Sequence, residues 1–238
     1  MKTFAVRSLV AVLFATSYML ATAGSSHAQG VWHGVAGSGT PNIRSAPTTT
    51  APIVGTLQSG QAVDVVNWVT GERVTGVVDT WAELAPGEYV YGDELAKPKP
   101  SAPPPAPQTF AGHWIDVNLS EQIITAYNGS QPVYWAVMSS GAPGWETQTG
   151  VQHIERRVAN ETMSSATLNA TVAIPYYLPN VLWTQYFTSY GEAIHDNYWK
   201  TDSPFGVPTS HGCVGLPEPD AHYFWNWATV GTVVNIHY

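Results

Sequence analysis

A single cysteine occurs in the 238 residues, within Thr209-Ser210-His211-Gly212-Cys213-Val214, and His195 lies eighteen positions upstream. A lone thiol closes no intramolecular disulfide, so its use is packing, metal ligation or reactivity. A thiolate attacks carbonyls, and a histidine within reach can take the thiol proton. His211 is near in sequence, and in an extended segment residues i and i+2 share a face. His195 follows the apolar pair Ala193-Ile194 at the end of a predicted strand, and the loop 196–209 is long enough to bring the chain back beside it. Gly212 leaves room for an approaching carbonyl. Backbone N–H groups around Gly212-Cys213 could form an oxyanion hole. The base needs a third group to fix its tautomer, for which Asp196, Ser210 or a backbone carbonyl would serve.

Two other uses of the same residues compete. A single cysteine is commonly a small buried hydrophobe. His195, His211 and Cys213 could also ligate zinc with an open position. No Cys-x-x-Cys pair or further acid supports that, so neither metal nor cofactor is expected.

The elements that must position these residues read as strands. His113 to Gly129 predicts two strands with reversals at Leu119-Ser120-Glu121 and at Asn128-Gly129, a strong hairpin signal. Val133 to Ser140, Val151 to Val158 and Thr167 to Ile174 extend the pattern. Asn180 to Ser189 is the upstream stretch that could be a short helix. Pro217 to Trp227 reads as a helix, with proline at its start and acids in its first turn. Gly231 stops it, and Thr232 to Tyr238 closes the domain as a strand. Cys213 therefore falls four residues before a helix N-terminus, which favours a lowered thiol pKa.

Upstream, proline occupies six of the twelve positions of Lys97 to Gln108. Proline removes a backbone donor and fixes φ, so this is expected to be an extended, semi-rigid spacer. It divides a small unit, 29–96, from a larger one, 109–238. In the small unit, Asn42-Ile43-Arg44, Ile53 to Leu57, Ala62 to Trp68, Val74 to Val78, Trp81 to Leu84 and Glu88 to Tyr91 alternate with turns, as in a small barrel. Trp68 and Trp81 could be core or ligand platform.

Met1 to Arg7 carries two bases and no acid, and Leu9 to Ala23 is an apolar run. Ser26-His27-Ala28 then gives the small-x-small pattern of a cleavage site, so 1–28 reads as a secretory signal. The mature chain is expected to lack a transmembrane helix and to work outside the cytoplasm, in the cell wall or periplasm. Removing the segment takes the net charge from −8 to −10, which argues against nucleic acid and anionic membrane surfaces. Only 11% of residues are charged, against ten Trp and twelve Tyr, a balance typical of β-proteins.

His195, fourteen intervening residues and Ser210-His211-Gly212-Cys213 together resemble the signature of the L,D-transpeptidases, the YkuD-type catalytic domain. Ile115-Asp116-Val117 with Ser120-Glu121-Gln122 resembles that domain's opening strands. Val137 to Gly141 followed by Thr147-Gln148-Thr149-Gly150 resembles its middle segment, with Gln148 in place of proline. Gly191 to His195, Asp220-Ala221 and Gly231 to Val234 resemble its later parts. The small unit resembles a bacterial SH3-like domain, a type that commonly holds wall glycan or peptide. The resemblances imply a mainly β chain: an SH3-like small barrel, a proline-rich linker (97–108) and a β-rich catalytic domain with one or two short helices.

The implied activity is acyl transfer on peptidoglycan stem peptides, which builds cell wall. Cys213 would attack a stem carbonyl and expel the terminal residue. His195 would act as base and then acid, and an amine or water would resolve the thioester. His211 would support the site, with Ser210 and Gly212 shaping it, and Tyr198 and Trp199 could line the acceptor side. A carboxypeptidase or wall-protein ligase using the same thiol, or a non-catalytic wall-binding protein, are the alternatives. Many members carry Arg or Asn two residues after the cysteine, where this chain has Gly215. Asp196 beside His195 is also unusual, and a carboxylate there would raise the base's pKa.

Overall fold

Short apolar–polar alternations broken by turn residues make strands, and strands dominate both halves of the chain. The computed structural model describes residues 31–75, 78–167, 175–200 and 205–238. The proposed signal segment lies outside the described residues.

The first half holds β1 (Trp32–Ala36), β2 (Asn42–Arg44), β3 (Ile53–Thr56), β4 (Ala62–Val65), β5 (Asn67–Thr75), β6 (Val78–Ala85), β7 (Glu88–Tyr91) and β8 (Leu95–Ala96). They form two sheets of order β4-β1-β8 and β3-β2-β7-β6-β5. Trp32, Leu57, Val63, Val65, Val90 and Leu95 share one core. The strand β1 is not among the predicted ones. Lys97 to Gln108 contains no helix or strand, as its prolines require. It is nevertheless packed and not a free spacer. Trp135 Nε1 donates to Pro100 O at 2.9 Å, Lys99 sits over the ring of Tyr134, and Lys97 pairs with Glu121.

The second half holds β9 (His113–Asn118), β10 (Ile123–Asn128), β11 (Gln131–Val137), β12 (Gly150–His153), β13 (Arg156–Ser164), β14 (Tyr177–Tyr186), β15 (Ala193–Asp196), β16 (Val214–Leu216), α1 (Glu218–Trp227) and β17 (Val233–His237). One sheet runs β11-β10-β9-β17-β12 and the other β13-β14-β15-β16. Ile115, Ile124, Phe187, Ile194, Val214, Leu216, Phe224 and Val234 join both sheets and α1 in one buried cluster. Each such side chain contributes about 1.5–3 kcal/mol of burial. Asn128 pairs with Gln131, so the hairpin turn is Gly129-Ser130, one residue later than expected, and Gly129 at its first position has φ +56°.

One expectation fails. The stretch 180–189 is no helix: it belongs mostly to β14, which pairs with β13 along most of its length. Asn180 and Trp183 have φ near +60°, so the strand is irregular, and that irregularity hides its period of two. The expected strand over 167–174 lies outside the described residues except for Thr167, which ends a 3₁₀ turn, Ser165–Thr167.

Candidate active site

The parallel pairing of β15 with β16 builds the site. Its register sets Ile194 against Val214, His195 against Gly215 and Asp196 against Leu216. Side chains alternate along a strand. Ile194, Val214 and Leu216 enter the core beneath α1, so His195, Asn197, Cys213 and Gly215 take the other face. Cys213 is then the diagonal neighbour of His195, and diagonal positions are about 7–8 Å apart at Cα, within reach of long side chains.

The turn before β16 is held by side chains. Ser210 Oγ donates to Cys213 O at 2.6 Å and accepts the Gly212 N–H at 3.1 Å. Thr147 Oγ1 donates to Gly212 O at 2.8 Å. Gly212 has φ +110°, and a Cβ there would lie 2.7 Å from Glu192 Oε1, so only glycine fits. The room expected beside Gly212 is therefore taken by a carboxyl group. The Gly212 N–H is spent on Ser210, which removes it from the anticipated oxyanion hole.

His195 is buried, and its Nδ1 lies 2.6 Å from Asp196 O. A carbonyl only accepts, so Nδ1 carries the proton and Nε2 keeps its lone pair. Of the three orienting groups considered, the backbone carbonyl fills the role. The side chain of Asp196 points to the opposite face, and Ser210 serves the turn. Burial lowers the His195 pKa to about 4, outweighing the Asp196 carbonyl. The increase expected from a neighbouring carboxylate does not occur, because the Asp196 side chain lies on the other face, where burial and Glu218 on α1 push its own pKa up to about 6.

Cys213 is part-buried, and its Sγ lies 3.8 Å from Gly191 O. Burial pushes the thiol up to about 12, and the charges of Glu192 and Glu161 add to this against a lowering contact from the Ala193 backbone. The expected lowered pKa is thus overturned: burial and the carboxylates of Glu192 and Glu161 outweigh the N-terminus of the helix that begins at Glu218. Cysteine and histidine are both neutral at rest. Among the described residues no hydrogen bond joins Cys213 to either imidazole. His211 does not reach the sulfur; its ring lies against Trp145 (4.8 Å) and Tyr176 (5.4 Å). Burial lowers its pKa, with Asp79 pulling the other way.

Trp199 stacks on His195 with ring centroids 5.7 Å apart. Tyr198 stands outward, donating to Pro179 O at 2.7 Å. Glu192 and Tyr176 belong to the site and were not anticipated. Glu192 lies within the Gly191–His195 stretch that carries the resemblance, but no role was expected of its carboxyl group. The raised pKa of Tyr176, about 12, has burial and then Cys213 as its causes, which puts its phenol near the sulfur. Among the described residues no cluster of three His, Cys, Asp or Glu side chains could hold a metal ion.

A family model described as the L,D-transpeptidase catalytic domain, YkuD, matches residues 112–236. The fold is similar to that of the L,D-transpeptidase LdtMt1 solved in complex with imipenem. The TM-score is 0.50 at 21% identity, covering 53% of this chain and 59% of that one. It is similar also to an L,D-transpeptidase from Mycobacterium smegmatis, with a TM-score of 0.50 at 16% identity, covering 72% of this chain and 82% of that one. The chain thus spans less than two thirds of LdtMt1. A comparison with curated proteins gives no match.

Proposed function

The chain belongs to the YkuD family of L,D-transpeptidase catalytic domains, and on that premise we propose that it transfers acyl groups between peptidoglycan stem peptides through a thioester on Cys213. The observation that carries this reading is the β15–β16 register, which sets Cys213 and a neutral, correctly tautomeric His195 on one face. As sulfur adds to the stem carbonyl, the thiol proton passes to His195 Nε2. The tetrahedral intermediate collapses, its C–N bond breaks, and His195 returns the proton to the departing amine. An acceptor amine then adds to the thioester, loses a proton to His195, and releases the Cys213 thiol. A thiol with a high pKa beside a base with a low one transfers its proton during attack rather than before it.

The remaining roles follow the same reading. Ser210 and Gly212 hold the turn, and His211, with Trp145 and Tyr176, lines the mouth. Trp199 flanks the base, and Tyr198 stands at the acceptor side. The N-terminal unit (29–96) is an SH3-like wall-binding module, 97–108 the linker and 109–238 the catalytic domain of an exported protein. Among the described residues no helix is long and apolar enough to cross a membrane.

Incubation with purified disaccharide-tetrapeptides tests the reaction. A new dimer, by mass, supports transfer. A shortened stem supports carboxypeptidase action. No product from a folded protein supports a wall-binding role alone.

A further inference from the structure

The segment leading into the nucleophile turn is clamped between the two halves of the chain. On the catalytic side, Gly206 N–H donates to Met138 O at 2.8 Å, and the Thr209 and Ser210 N–H groups donate to Ser140 O at 2.9 and 3.0 Å. The carbonyls of the same segment face the N-terminal unit. Trp32 Nε1 donates to Gly206 O at 2.8 Å, and Thr80 Oγ1 donates to Pro208 O at 2.8 Å. Both donors are sealed from solvent, at 1% and 0% exposure. Between them lies Val207, at 0% exposure, and a Cβ on Gly92 would come within 3.0 Å of it. A buried carbonyl that loses its donor is costly, so these two bonds constrain the segment strongly. Ser210, whose hydroxyl fastens Gly212 and Cys213, follows Pro208 by two residues.

We propose that the N-terminal unit is a working part of the active site, with Trp32 and Thr80 as positioning residues that hold Gly206–Pro208 and thereby set the turn carrying Cys213. This rests on the transpeptidase reading. A unit that only docked the enzyme to wall would have no need to bond the backbone five residues before the nucleophile. The arrangement also gives wall contact a route to the chemistry: whatever shifts β1 or β6 shifts the turn.

The test is the rate of imipenem acylation of the full chain, followed by intact mass, together with amide hydrogen exchange over 205–213. Thr80→Val keeps the shape and removes the donor. It is expected to slow acylation by about five- to tenfold per folded molecule and to speed exchange at Thr209 to Gly212. Thr80→Ser restores the hydroxyl and is expected to keep the wild-type rate. Trp32→Phe, which keeps an aromatic ring, is expected to slow acylation likewise. A lower melting temperature with an unchanged acylation rate in Thr80→Val would show a merely structural bond and overturn the proposal. Wild-type acylation by Thr80→Val and Trp32→Phe alike would overturn it too. If wild type itself gave no adduct, the transpeptidase reading would fall and this inference with it.

Discussion

Asn197 fills the space that a side chain at position 215 would need: a Cβ on Gly215 would lie 2.6 Å from Asn197 Nδ2. The two residues sit on the face shared by His195 and Cys213, and Asn197 is 8% exposed. The glycine is therefore matched to its neighbour rather than being a gap.

Gly215→Ala forces Asn197 to move. Overpacking of this kind costs roughly 1–3 kcal/mol, and each kcal/mol lowers the melting temperature of a chain this size by about 2–4 °C. Thermal unfolding should show that loss. Combining Gly215→Asn with Asn197→Gly should recover most of the stability lost in Gly215→Asn alone.

The pH profile of acylation follows from the two neutral groups. The base is available above its pKa of about 4, and the thiol holds its proton up to about 12. Acylation rates should rise from pH 4 to 5 and then stay level across pH 6–9. A preformed thiolate–imidazolium pair would instead give a bell within that range.

Asp196 gives a stability prediction of definite sign. Its folded pKa, about 6, is raised above 3.8 by burial and Glu218. Its contribution is fully present below the unfolded pKa and is lost as pH rises through the folded one. Asp196→Asn removes that loss, so it should raise the melting temperature at pH 8 and leave it little changed at pH 4.

Much of this was legible in the residues themselves. The hairpin at Gly129, the proline-led helix and the strand carrying His195 are local signals, and each stands within a residue of where its residue types put it. The failures are non-local. The high pKa of Cys213 comes from its burial and from Glu192 and Glu161, which the fold brings beside it. The irregular φ angles of Asn180 and Trp183 concealed β14. Glu192, Asn197 and the bonds from Trp32 and Thr80 matter only because strands distant in sequence meet, and no spacing announces that.

Ser210→Ala removes the two bonds that its hydroxyl makes across the turn and leaves that from Thr147 to Gly212 O. Each bond is worth about 0.5–1.5 kcal/mol, so the variant should remain folded. Its imipenem acylation should slow by at least about tenfold. A normal rate would show that the turn holds its shape without the hydroxyl.

The most direct measurement is intact mass after exposure to imipenem. The wild-type chain should gain one adduct per molecule, mapped to the peptide containing position 213, and Cys213→Ala should gain none. A folded wild-type chain without the adduct, or one modified equally after that substitution, would contradict the thiol as nucleophile.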